Sequence, residues 1–200
     1  MRATEIVRVG LLALAVASAS CGSMVRQGTG TSFLIVTTLE ASSGAEPDEF
    51  GGLLQSDVVT VVNNVPTVFG DLGRVTLQLG LKDPGPSLSP NTPTQNQFIT
   101  VDRYRVRFIR ADGRNTPGVD VPYGFDGAFT MTVGTERATG AFELVRHIAK
   151  AEAPLGALAS NLTVISTIAE ITFFGHDQTG HEVSVVGRIT VDFGNFADPS

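Results

Sequence analysis

The chain has 200 residues, a formal net charge of −6, a single cysteine and no tryptophan. The acidic balance argues against nucleic acid as the main partner, because such domains carry a basic footprint. One cysteine excludes an internal disulfide. The length suits one domain, able to bury roughly 70 % of its unfolded-chain surface without a cross-link or metal.

Residues 1–20 read as an address label. Arg2 and Arg8 supply positive charge, and small residues close the segment in "SASC", Ser18–Cys21. Between them "VGLLALAVA", Val9–Ala17, is apolar but shorter than the about 20 residues a spanning helix needs. That order is the pattern of a cleaved secretory signal. With Cys21 directly after the small residues, the segment resembles a bacterial lipoprotein precursor, whose cysteine is acylated and becomes the mature N-terminus. The resemblance implies export and a membrane contact through the lipid anchor. With Gly22 rather than aspartate after the cysteine, it also implies outer-membrane sorting, periplasmic or surface-facing. Removing residues 1–20 takes away two arginines and one glutamate, which moves the charge to −7. The small polar stretch that follows reads as a tether over 21–31, leaving 32–200 as a single domain.

From there the dominant period is two, the mark of strands with one buried face. Ser32–Glu40 is rich in β-branched residues, and Arg74–Lys82 sets Val75, Leu77, Leu79 and Leu81 opposite Arg74, Thr76, Gln78 and Lys82. Asp57–Val62, Phe98–Arg110, Ala128–Val133, Ala141–Ala149, Thr163–Phe174 and Glu182–Phe193 are the other strand segments, bounded by Gly, Pro, Asn and Asp. Only Ala149–Ser160 has helix-forming composition, and Pro154 and Gly156 limit it to a turn or two. About eight strands without intervening helices cannot build βαβ crossovers, so the expectation is an all-β, antiparallel two-sheet sandwich. An immunoglobulin-like or related Greek key is the favoured form, with a closed barrel as the alternative.

Two connections stand out. Asp83–Gln97 holds four prolines and reads as a surface crossover or a functional loop. Asp177-Gln178-Thr179-Gly180 fits a type I turn with glycine in the left-handed position. This "DxxG" turn before a β-branched strand resembles bacterial immunoglobulin-like domains, over some thirty residues of the C-terminal third.

No nucleophile elbow, phosphate loop, zinc-protease helix or dinucleotide fingerprint is present, so the expectation is a non-enzymatic protein without a cofactor. Three groups carry candidate chemistry. His176 and His181 flank the turn with Asp177; facing each other with Cβ atoms about 5 Å apart, they would share a zinc or copper ion, with Asp177 or Glu182 as a further ligand. Tyr123, Phe125 and Asp126 sit in a Gly- and Pro-punctuated stretch that reads either as a ligand loop or as a plug at the end of the fold. Glu46, Asp48 and Glu49 lack the regular spacing of a calcium loop.

The third group is "VDRYRVRFIR", Val101–Arg110, with four arginines in an acidic chain. Alternation sends Tyr104, Val106 and Phe108 inward and Arg103, Arg105 and Arg107 outward, with Arg110 beyond the core edge. Three like charges in a row call for carboxylates on neighbouring strands, from Glu143, Glu170, Glu182 or Asp192. The face then reads either as ordinary surface or as an anion-recognising surface for an envelope polymer, since arginine forks match carboxylate and phosphate. The functional expectation is a lipid-anchored envelope protein acting by binding or structural association, with a polymer or a protein as partner. An envelope enzyme with an unfamiliar site at the loops and a metal-handling module at the 176–181 hairpin are the alternatives.

Overall fold

The computed structural model describes residues 28–196, so the signal-like segment, Cys21 and the start of the tether lie outside the described residues. Strand accounts for 53 % of the structure and helix for 8 %, which makes the chain all-β. In order, the strands are β1 (Ser32–Ser42), β2 (Leu53–Asp57), β3 (Thr60–Val62), β4 (Val65–Thr67) and β5 (Asp71–Leu81). After them come β6 (Ile99–Ile109), β7 (Phe125–Val133), β8 (Ala138–Val145), β9 (Ile165–Asp177) and β10 (Glu182–Gly194). One helix, α1 (His147–Ala151), and a 3-10 turn at Leu155–Ser160 lie between β8 and β9. The helical stretch thus starts two residues earlier than expected, and Pro154 divides it.

Three strands form a sheet in the order β1-β5-β8, and five form a curled half-barrel in the order β2-β10-β9-β6-β7. Alternation explains both. In β5, Val75, Leu77 and Leu79 are buried while Arg74, Thr76 and Gln78 are half-exposed, as a strand with one wet face requires. Both sheets contribute to one core: Phe142 of β8 lies 5.0 Å from Tyr104 of β6 and 5.3 Å from Phe173 of β9, ring centre to ring centre. The Tyr104 hydroxyl donates to the Glu143 carbonyl at 3.0 Å, which satisfies the one polar atom that this ring brings into the core.

Two expectations need correction. The sheets are not wholly antiparallel, because β2 runs parallel to β10, with Leu53 opposite Thr190 and Asp57 opposite Gly194. A parallel pair needs a long crossover, and here the whole intervening chain supplies it. Asp57–Val62 is not one strand either. β2 ends at Asp57, and Thr60–Val62 turns back on β4 through Asn63 and Asn64, whose φ angles of 52° and 63° suit a tight hairpin.

The chain enters the domain at one end, where residues 29–31 lie beside Leu81–Asp83 and Asn91–Gln97. The Asp83–Gln97 loop and the β9–β10 hairpin share that end. α1, the 43–52 loop and the 110–124 loop lie at the other.

Candidate functional site

The arginine strand folds with the expected faces. Tyr104, Val106 and Phe108 are buried, and Arg103, Arg105 and Arg107 are exposed. The ladder shifts register between Val101 and Arg103 on both sides of β6, so Asp102 and Arg103 both face outward. That irregularity lets Val101 and Tyr104, three residues apart, both reach the core.

The partners differ from those expected. Arg105 grips Asp126 of β7 with two bonds, Nε to Oδ1 at 2.6 Å and Nη2 to Oδ2 at 2.9 Å. Hydrogen bonding from Arg105, helped by its charge, holds the Asp126 carboxyl below its usual range. Arg103 stands 4.0 Å from the same carboxylate and lays its guanidinium over the Phe174 ring at 4.2 Å. Arg107 faces Glu170 in the register, but Glu170 bonds Arg188 of β10 at 2.7 Å. Of the four expected carboxylates only Glu170 pairs with an arginine of this face; Glu143, Glu182 and Asp192 do not. The face therefore sets Arg103, Arg105, Arg107 and Arg188 around Asp126 and Glu170.

The hairpin turn forms as read: Gly180 donates its N–H to the Asp177 carbonyl at 3.0 Å with φ of 88°. The two histidines do not face each other, however. Asp177 and His181 close the turn through their own backbone bond, which puts Glu182 opposite His176. His176 Nδ1 instead lies 3.3 Å from Asp102 Oδ2, and His181 Nδ1 lies 2.9 Å from Asp177 Oδ2. Asp177 is consumed by the turn, accepting the Thr179 N–H, the Thr179 hydroxyl and the His181 N–H. Burial pushes its carboxyl up, but these bonds outweigh it and hold the group at about 2. Among the described residues no group of three His, Cys, Asp or Glu side chains is placed to hold a metal ion.

Tyr123, Phe125 and Asp126 diverge. The Tyr123 ring lies against Gly118 within its own loop, Phe125 packs edge-on to Tyr104 under the Arg146 guanidinium, and Asp126 points out to Arg105. Glu46 and Glu49 line an open groove with Asp57 and Phe196 at the end away from the chain entry.

One group was missed. Lys150 of α1 is buried, with Nζ 2.8 Å from Asp71 Oδ1 and 2.8 Å from the Asp57 carbonyl. The Ser56 hydroxyl donates to Asp71 Oδ2 at 2.6 Å, and the Gly44 N–H to Oδ1 at 3.0 Å. The cluster joins the ends of β1 and β2, the start of β5 and α1. In the sequence Lys150 stands in an alanine-rich turn and Asp71 between glycine and leucine, so only an apolar context around each charge hinted at burial.

No family model matches the chain, and no curated protein and no solved structure matches it either.

Proposed function

We propose that this chain is a lipid-anchored cell-envelope protein of the outer membrane, built as an immunoglobulin-like or related Greek-key β-sandwich, that works by binding rather than catalysis. Its ligand class is an anionic envelope polymer, bound on the outer face of the five-stranded sheet. The carrying observation is the set Arg103, Arg105, Arg107 and Arg188 exposed on one face of an acidic chain. Planar forks at strand spacing, about 6.8 Å apart along β6, suit a polymer with repeating carboxylates or phosphates. The anchor reading rests on the signal-like segment and Cys21. Among the described residues no helix is long and apolar enough to cross a membrane.

The binding test compares wild type with Arg103→Ala/Arg105→Ala/Arg107→Ala on a phosphate-rich polysaccharide. Salt-sensitive binding by the wild type that a normally folded triple variant loses supports the reading. Equal binding by both, or none by either, removes it. For the anchor, Cys21→Ala should release the protein from membranes or block its processing; a lipid-free Cys21 in the wild type by mass spectrometry overturns that part.

A further inference from the structure

Lys150 and Asp71 are 1 % and 0 % exposed. Removing two ions from water costs several kcal/mol for each, recovered only where every remaining proton and lone pair finds a partner. An ammonium carries three donors. Among the described residues Nζ has two acceptors, Asp71 Oδ1 and the Asp57 carbonyl. A secondary amide in the same place has one N–H, for which the Asp57 carbonyl is the acceptor. It has one carbonyl oxygen, Oδ1, which already accepts the Gly44 N–H, while the Ser56 hydroxyl donates to the oxygen that would leave, Oδ2. Each state leaves one donor to re-pair, but the amide carries no buried charge.

We propose that the Lys150 amine and the Asp71 carboxyl condense into an intramolecular isopeptide bond. Transfer of one proton from the ammonium to Oδ2 gives a neutral amine beside a neutral acid, and burial favours the uncharged form of both. Burial indeed pushes the Asp71 carboxyl up, against the opposing charge of Lys150. The Nζ lone pair then attacks Cγ, while the Gly44 N–H holds Oδ1 as it gains charge. Collapse of this intermediate breaks the Cγ–Oδ2 bond. Oδ2 already carries one proton, takes a second from Nζ and leaves as water, with Ser56 bonded to it throughout. One C–N bond forms, one C–O bond breaks, and nothing is oxidised or reduced. Holding the reactants in contact replaces a bimolecular encounter, worth effective concentrations on the order of 10⁵ M or more in well-oriented cases. The bond would join residues 79 positions apart, in a chain whose single cysteine rules out a disulfide between its own residues.

Tryptic mapping of the denatured full-length protein decides the matter. The expected product is a branched species in which Gln27–Arg74 is joined to His147–Arg188, uncleaved after Lys150 and lighter than the two peptides together by one water. Lys150→Arg and Asp71→Ala should each return separate linear peptides. A wild type that yields linear Gln27–Arg74 and a peptide ending at Lys150, both at full mass, overturns the proposal. Because the deciding sample is the wild type, variants that fail to fold leave the outcome unaffected.

Discussion

Arg105 with Asp126 and Lys150 with Asp71 are pairs of similar length, 2.6 Å and 2.8 Å, in opposite surroundings. The first pair has side chains 47 % and 43 % exposed, so water screens it and would solvate either partner left alone. The second has no water to fall back on. Contact distance therefore says little about what a pair does for the fold. Arg105 lies on a solvated sheet face where water can replace its partner, whereas Lys150 ties β2, β5 and α1 together at one end.

The sharpest way to break this contrast is Lys150→Ala. It strands a buried carboxyl and should cost about 3–5 kcal/mol in chemical denaturation. Lys150→Met/Asp71→Leu should cost less than the two single changes added together, because neither charge is left behind. Phe108→Ala, on the strand that carries Arg105, should cost about 3–5 kcal/mol by emptying a packed aromatic site. Phe108 lies 5.4 Å from Phe193, so the loss reaches β10 as well.

Smaller effects sharpen it. Gly180→Val forces a branched side chain into a left-handed position and should cost about 1–2 kcal/mol. Asp177 adds a pH signature. Its carboxyl falls from an ordinary 3.8 to about 2, so its stabilising effect is complete above pH 4 and is lost as pH drops through about 2. Asp177→Asn should flatten that part of the acid limb in a pH series of thermal melts. Arg105→Ala closes the series with the smallest loss in chemical denaturation, because water screens the exposed pair and solvates the partner left behind. A loss as large as that of Lys150→Ala would mean that exposure does not separate the two pairs.

The parity of β6 was legible because it is local: five residues of strict alternation decide which face is wet. The partner of Arg105 was not, because Gly127 interrupts the apolar pattern and hides the start of β7. In the structure the Tyr104 ring covers Gly127, so a missing side chain there is filled from the next strand. The hairpin was read to within one residue. That residue decided the matter, since a shift of one moves every side chain to the other face. Lys150 could not be assigned a partner, as Asp71 lies 79 positions away and the apolar context around each charge hints at burial without saying what meets it. The parallel pairing of β2 escaped for a similar reason: alternation reports which face is buried and carries no direction.

That parallel pairing bears on the order in which the molecule can assemble. β2 finds its neighbour in β10, 137 positions later, and β10 sits inside the sheet between β2 and β9. Closing so wide a loop comes before any contact rewards it, and folds dominated by such contacts are slow. While the chain emerges from a ribosome, one edge of β9 and the whole of β2 must wait for the last described strand. In that interval the unpaired edge of β9 is open to other chains, so β10 covers an exposed edge as well as completing the sheet.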